Sequence, residues 1–174
     1  DERYLNAPML DREEEMYIAP FIPNWQDRYY KTLFDSDGTQ EYRKKVCINY
    51  LEGLEWVMKY YTSGCSDWGW HYKYPYPPLL QDLVKYVPRW GVEFIKENNN
   101  KPVTPYTQLA YVLPKDSLKF LPTNIYNQLI YKKSKNYKEN CKLKWAFCRY
   151  IWEAHVDLPE IDIDELQDFI LKIK

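Results

Sequence analysis

Residues 40–62 read QEYRKKVCINYLEGLEWVMKYYT, and this stretch predicts the clearest helix of the chain. Apolar and aromatic residues recur in it at intervals of three or four positions, as on one face of an amphipathic helix. Thr39 precedes the stretch as a candidate N-cap, and Gly64 follows it where a C-terminal glycine is typical. Gly53 inside the stretch costs about 1 kcal/mol relative to alanine, which indicates a close packing neighbour.

The next residues, 63–78, read SGCSDWGWHYKYPYPP and form what we call the aromatic loop. A strand would place its alternating rings on one face. However, Pro75, Pro77 and Pro78 cannot donate backbone hydrogen bonds, so an extended, irregular loop is expected. Its rings either pack between neighbouring helices or stack on flat ligands such as bases, and composition alone favours packing. These rings belong to Trp68, Trp70, Tyr72, Tyr74 and Tyr76.

Outside these two stretches, the pattern predicts a mainly α fold with long, irregular, proline-rich loops and little or no sheet. Residues 1–16 are charged and are expected to form a flexible acidic arm or linker. Residues 17–174 are expected to form a single helical domain. Further helices are predicted at 24–34, 79–87, 124–131 and 143–154, with a last helix capped by Asp162 or Asp164.

Composition sets limits on location and on binding partners. The formal net charge is −1, so overall charge gives no indication of nucleic-acid or membrane binding. No apolar run approaches the length that spans a bilayer, so no membrane partner is expected. The four cysteines form no close pair, which favours a reducing compartment: the cytoplasm, with the nucleus as the alternative.

The residues themselves do not indicate a complete catalytic centre. The acids near the C-terminus stand at the start of a predicted helix, where its dipole explains them without a metal ion. The cysteine and histidine spacings match no common zinc site, and no glycine-rich phosphate loop is present. The basic run over 132–149 could follow a nucleic-acid backbone, although such runs are more often solvated loops.

Several motifs together resemble the XRN-type 5′→3′ exoribonucleases, specifically their second conserved region. The matching text includes PNWQDRYYKTLFD, INYLEGLEWVMKYYTSGCSDWGWHYKYPYPP, PVTPYTQLAYVLPKDSLKFLP and WEAHVDLPEIDIDEL, in family order over most of residues 17–170. The combination of Tyr-x-Glu-Gly-Leu-x-Trp with Gly-Cys-x-x-Trp-x-Trp-x-Tyr is specific.

This resemblance implies half of a split catalytic core acting on RNA with a 5′-monophosphate. The Mg²⁺-binding nuclease centre of the family lies in its first conserved region. No cofactor or catalytic residue is therefore expected in this chain, which would not act alone but beside a nuclease region of the same protein or of a companion chain. The resemblance implies base stacking by Trp68 and Trp70. Weaker candidates for backbone contact are His71, Lys73, Arg28 and Arg43.

The chain departs from the family pattern near the end of the aromatic loop. The family usually reads Tyr-His-Tyr-Ala-Pro where this chain reads Tyr74-Pro75-Tyr76-Pro77-Pro78. These departures suggest a divergent member of viral or protist origin. They also support the alternative function, a non-catalytic protein-interaction or structural module that keeps the fold without nuclease activity.

Overall fold

The computed structural model describes residues 12–98, 100–138 and 141–173, and its regular structure is mainly α-helical, as predicted. Contacts divide the chain into two compact units. One unit comprises the residues up to Lys101 together with Trp145–His155, and the other comprises Pro102–Lys144 and Val156–Lys174. The predicted acidic arm lies mostly outside the described residues, and its last four residues belong to the first helix, Glu13–Ile18.

Helix α1 is Glu13–Ile18, α2 is Trp25–Phe34, α3 is Gln40–Thr62 and α4 is Leu80–Leu83, all within the first unit. The aromatic loop runs from α3 toward α4 without regular structure. A 3₁₀ turn, Ile151–Glu153, also belongs to this unit.

Helix α3 begins and ends where the sequence predicts. The Thr39 hydroxyl accepts the backbone N–H of Tyr42 at 3.3 Å, which satisfies one of the helix's free N-terminal donors. Gly64 follows the helix with φ +107°, a conformation that glycine adopts without strain. The apolar stripe is buried only in the first half of the helix, at Val46, Cys47 and Leu51, whereas Leu54, Val57, Met58 and Tyr61 are exposed.

The core of the first unit is built mainly from aromatic side chains of α2. Tyr30 is fully buried, and its hydroxyl donates to the Asp82 carboxylate at 3.0 Å. Asp82 is itself only 3% exposed, and Lys85 pairs with it at 2.7 Å, so its charge is compensated. The buried members of this cluster are Ile18, Tyr29, Tyr30, Leu33, Phe34, Val46, Tyr76 and Ala146.

The second unit has a separate apolar core. Its helices are α5 (Pro105–Val112), α6 (Thr123–Lys132) and α7 (Ile163–Leu171), with 3₁₀ turns at Lys115–Phe120 and Ser134–Asn136. Taken as a whole, the described part of the chain also has two short strands, β1 (Leu143–Lys144) and β2 (His155–Val156), which pair into a two-stranded sheet. The buried side chains of this core are Ala110, Leu118, Leu121, Ile125, Leu129, Tyr137, Leu166 and Ile170.

The helix predicted over 79–87 is shorter, since α4 ends at Leu83. After it, the backbone N–H of Lys85 bonds to the carbonyl of Asp82, and that of Tyr86 to Leu83, in three-residue turns. Pro88 comes directly after Val87 and disfavours helical geometry there. The expected apolar face is consequently incomplete, because Leu80, Val84 and Val87 are exposed.

The prediction of a helix over 143–154 is wrong. The segment contains β1, the 3₁₀ turn Ile151–Glu153 and a left-handed residue, Phe147, with φ 57°. The Glu153 carboxylate accepts the backbone N–H groups of Arg149 at 2.6 Å and Tyr150 at 3.0 Å. Such side-chain bonds compete with the helical pattern for the same donors.

Candidate functional site

Trp68 presents its indole ring at the surface of the aromatic loop. The side chain is 52% exposed, so part of a large flat apolar ring is open to solvent. Its backbone N–H donates to Asn100 Oδ1 at 2.9 Å, so the main chain beneath the ring is held. The loop therefore offers a flat aromatic face to solvent on an anchored backbone.

Trp70 lies in a different environment, packed against helix α3. Its ring stacks on Trp56 with centroids 5.9 Å apart, and Trp56 also stacks on Tyr60 at 5.3 Å. A Cβ on Gly53 would lie 2.5 Å from Trp70 Cη2, so the glycine makes room for this ring. The close neighbour that Gly53 predicts is thus Trp70. Of the two tryptophans, Trp70 packs against α3 and Trp68 is exposed.

Asp67 and Asn100 hold the backbone around the exposed ring. The Asp67 carboxylate accepts the N–H of Gly69 at 2.7 Å and the Asn100 side-chain amide at 2.5 Å. Burial alone raises the pKa of Asp67, but these bonds and one from Asn98 outweigh it, so that its pKa lies below the usual value. The Asp67 carbonyl in turn accepts Trp56 Nε1–H at 2.8 Å.

The segment 93–98 lies along α3 and leads to Asn100. Glu55 accepts the backbone N–H groups of Phe94 at 2.7 Å and Ile95 at 3.4 Å. Lys59 donates to the Ile95 carbonyl at 2.6 Å. Glu55 and Lys59 also pair with each other, four positions apart on one face of α3.

The tyrosines of the loop anchor it in the core. Tyr76 is buried and stacks on His155, with centroids 4.1 Å apart and planes 7° apart. Burial raises the pKa of Tyr76 to about 12. The Tyr72 hydroxyl donates to the Tyr76 carbonyl at 2.8 Å, and the Tyr29 hydroxyl donates to the Pro77 carbonyl at 2.9 Å.

The prolines that depart from the family pattern thus contribute backbone oxygens to this anchoring. The Pro75 carbonyl contacts the His155 ring, and the Pro77 carbonyl accepts the Tyr29 hydroxyl. Neither contact uses a backbone N–H, which proline lacks. The loop therefore keeps these contacts with proline at both positions.

His71 and Lys73 are both exposed on the same loop. His71 Nδ1 lies 3.3 Å from the Gly69 carbonyl, and the Lys73 backbone N–H donates to Asn49 Oδ1 at 2.9 Å. The Lys73 side chain borders an open groove of about 400 Å³. Its other lining residues are Glu41, Lys44, Lys45, Ile48, Asn49, Glu52 and Tyr74.

The two predicted arginines have intramolecular partners. The Arg28 guanidinium donates to the carbonyls of Ile18, Pro23, Ala19 and Ile22 at 3.0–3.3 Å. Arg43 lies over the Tyr30 ring, 4.5 Å from its centroid, donates to the Gly38 carbonyl at 2.7 Å and pairs with Asp27. Both guanidinium groups therefore organise the loops beside α2.

Among residues 12–98, 100–138 and 141–173, no three His, Cys, Asp or Glu side chains are grouped so as to hold a metal ion. The acids of the α7 first turn serve the helix instead, with Asp162 accepting the N–H groups of Asp164 at 3.0 Å and Glu165 at 2.9 Å. Within the same residues, no helix combines the length and apolarity needed to cross a bilayer.

Comparisons with known proteins match this architecture to one family. Residues 17–174 match the family described as the Xrn1 helical domain. The chain is 32% identical over 175 residues to 5′-3′ exoribonuclease 1 of Schizosaccharomyces pombe, covering 96% of this chain and 13% of that protein. It is 34% identical over 142 residues to 5′-3′ exoribonuclease 2 of Gallus gallus, covering 79% of this chain and 15% of that protein.

A third relative is the 5′-3′ exoribonuclease 2 homolog of Drosophila melanogaster, 32% identical over 161 residues. That match covers 88% of this chain and 17% of the fly protein. The chain thus spans less than a fifth of the length of each of these relatives.

Proposed function

This chain belongs to the Xrn1 helical domain family of the 5′-3′ exoribonucleases, and from that premise we propose that it lines the RNA channel of such an enzyme. In this proposal, Trp68 stacks on a 5′-terminal nucleotide of RNA bearing a 5′-monophosphate. The observation that carries the proposal is the 52% exposed Trp68 ring on a hydrogen-bonded backbone. A stacked base contributes about 1–3 kcal/mol to binding.

The surroundings of the two tryptophans favour Trp68 over Trp70 as the stacking residue. Trp70 already stacks on Trp56 and fills the space above Gly53, so it supports the loop. His71 and Lys73 are exposed on the same loop and are proposed as contacts to the RNA backbone, with Lys73 acting as a mobile point charge.

Arg28 and Arg43 have a lesser part in this proposal. Their donors already meet carbonyl oxygens and carboxylates of the protein. An arginine with its donors engaged can offer only charge at a distance, which salt screens within about 10 Å. We therefore assign both to the support of α2 and its loops.

Phosphodiester hydrolysis is proposed to occur outside this chain. Asp162 caps a helix and Glu55 binds backbone N–H groups, and the acids of the described residues do not converge into a Mg²⁺ site. The residues present therefore do not fit the metal that the family implies. In this proposal the metal is held by a nuclease region of the same protein or of a companion chain.

The second candidate function is a non-catalytic module that binds another protein. It is favoured by the exposed apolar residues on the second half of α3, where Met58 is 64% and Tyr61 80% exposed. Exposed apolar groups in such proximity are typical of surfaces that another protein covers. A module of this kind would not depend on Trp68.

The proposal is tested in the full-length polypeptide that carries this chain. Digestion of 5′-monophosphorylated RNA is measured for wild type, Trp68→Ala, Trp70→Ala and Trp90→Ala. Trp90 is 84% exposed in the same unit, so it controls for loss of any exposed tryptophan. We expect Trp68→Ala to reduce kcat/KM about 5- to 150-fold and Trp90→Ala to leave it unchanged.

A parallel measurement with 5′-hydroxyl RNA tests the end-group preference. Equal rates on both RNAs would contradict the 5′-monophosphate part of the proposal. Unchanged digestion by Trp68→Ala would contradict the stacking role. If the wild-type polypeptide digests neither RNA but binds another protein, the result would favour the non-catalytic module.

A further inference from the structure

Asn100 bonds to two neighbouring points on the backbone that carries Trp68. Its Oδ1 accepts the Trp68 N–H at 2.9 Å, and its Nδ2 donates to Asp67 Oδ1 at 2.5 Å. A side-chain amide can satisfy an N–H and a carboxylate together in only one orientation. The two bonds therefore fix the direction of the amide, and the amide fixes the peptide between Asp67 and Trp68.

Gly69 completes this arrangement on the far side of Trp68. Its N–H donates to Asp67 Oδ1 at 2.7 Å. The backbone N–H groups of both Trp68 and Gly69 are therefore hydrogen-bonded. A Cβ at this position would lie 3.1 Å from Asn100 Nδ2 and 3.4 Å from Asp67 Oδ1. The glycine thus allows the Asn100 amide to approach the loop.

Asn100 is held in turn by the segment that leads to it. The Asn98 N–H donates to the Ser66 carbonyl at 2.8 Å, next to Asp67. Upstream, Glu55 and Lys59 bind the backbone of Phe94 and Ile95 to helix α3. The position of the amide is consequently set by the longest helix described in the first unit.

We propose that Asn100 is a positioning residue that sets the angle at which Trp68 meets the 5′-terminal base. This inference rests on the proposed function, because it assumes that Trp68 stacks on RNA. Asn100 does not touch the base; it acts through the Trp68 peptide. The loss of its amide leaves the indole present but free to rotate away from the stacking geometry.

Two isosteric changes separate positioning from general packing. Asn100→Asp places a carboxylate against Asp67 at the 2.5 Å contact, which replaces a donor with a like charge. Asp67→Asn keeps an oxygen able to accept from both Gly69 and Asn100. The double variant Asp67→Asn/Asn100→Asp removes the like-charge contact, because the new amide can donate to the new carboxylate. The same amide nitrogen then faces the Gly69 N–H and cannot accept from it, so the restoration is partial.

The experiment uses the full-length polypeptide and RNA with a 5′-monophosphate and 2-aminopurine as the terminal base. Quenching of 2-aminopurine fluorescence reports stacking, and digestion kinetics give KM and kcat separately. We expect Asn100→Asp to weaken terminal-base quenching and kcat/KM about 5- to 150-fold, as Trp68→Ala does. Asp67→Asn keeps the oxygen that accepts from Gly69 and Asn100 but weakens the bond from Asn98, so it is expected to lose less quenching and less kcat/KM than Asn100→Asp does. The double variant is expected to recover part of the loss of Asn100→Asp.

If Asn100→Asp does not fold, Asn100→Ala provides the same test, since it removes the amide without adding a charge. Thermal unfolding of each variant establishes that it is folded at the assay temperature. Loss of quenching in Trp68→Ala with wild-type quenching in both Asn100 variants would overturn the positioning role and leave the proposed function standing. Wild-type quenching in Trp68→Ala would overturn the proposed function itself.

Discussion

The Trp70 ring lies directly on the backbone of Gly53, so that a methyl group on this glycine would sit 2.5 Å from Trp70 Cη2. The contact joins the middle of α3 to the aromatic loop. It also explains why a glycine occurs inside a helix, where it costs about 1 kcal/mol relative to alanine.

Gly53→Ala is therefore expected to destabilise the chain although alanine is the better helix former. The clash should cost about 1–3 kcal/mol, which equals or exceeds the gain in helix propensity. Urea unfolding measures the difference. Lys45→Ala, at an exposed position of the same helix, is the matched control and should change the unfolding free energy by less than about 0.5 kcal/mol.

The combination with Trp70→Leu checks the cause. A smaller side chain at position 70 should make Gly53→Ala neutral or stabilising, because the methyl group then has room. An equal cost of Gly53→Ala in both backgrounds would show that Trp70 is not the neighbour that matters.

Arg28→Lys should lower stability without removing charge. The guanidinium donates to four carbonyls, and a lysine ammonium cannot reach all of them with the same fork geometry. A loss of about 1.5–3 kcal/mol in urea unfolding is expected. Lys31→Ala, at an exposed position of the same helix, should be nearly neutral. A variant as stable as wild type but weaker in RNA binding would instead indicate that Arg28 contacts phosphate.

The chain should lose stability in alkali because of Cys47. Burial, with Asp82 nearby, raises the pKa of this thiol from 9.0 to about 11. In the unfolded chain the thiol ionises above pH 9, whereas the folded chain keeps it neutral until near pH 11. Its contribution is therefore complete below pH 9 and is lost as pH rises through 11, by about 1 kcal/mol at pH 10.

Urea unfolding at pH 8, 9 and 10 measures this slope. Cys47→Ala should reduce the slope, whatever the variant's stability at pH 8, and the buried tyrosines with raised pKa values, such as Tyr29 and Tyr76, account for the remainder. Cys65→Ala removes a half-exposed thiol and should leave the slope as in wild type. The same slope with and without the Cys47 thiol would contradict the assignment to this group.

Asp162→Ala should weaken the last helix more than Asp164→Ala. Asp162 accepts two N–H groups at the start of α7, whereas Asp164 lies within the first turn. Loss of the cap costs about 1 kcal/mol, and loss of a first-turn charge about 0.3–1 kcal/mol. Thermal unfolding of the two variants distinguishes them, and a larger loss for Asp164→Ala would reverse the assignment of the cap.

The sequence predicts best the features that depend on neighbouring residues. Helix 40–62, its Thr39 cap and its terminal Gly64 follow from side chains within one or two turns, and the structure confirms them. The segment 143–154 shows the limit of this reasoning. Its apolar spacing fits a helix, but Glu153 binds the backbone donors that the helix needs, and periodicity does not report that competition.

The sequence predicts which residue types form the candidate site, but it does not predict how their side chains are arranged. The resemblance indicates both Trp68 and Trp70, and only the packing against Gly53 and Trp56 distinguishes the exposed Trp68 ring from the partly buried Trp70 ring. Asn100 was missed because its partners lie 32 and 33 positions away, beyond any local pattern. The sequence predicts RNA contact for Arg28 because the four carbonyl acceptors of its guanidinium cannot be identified from sequence.

The bonds from Asn100 to the aromatic loop also have a kinetic consequence. They join residues more than thirty positions apart. Their formation therefore requires closure of a long loop, which has a large entropic cost. Helix α3, whose contacts are local, can form before them. Trp68 should therefore reach its final orientation late in folding, and its fluorescence would report completion of the native state and not the first helical collapse.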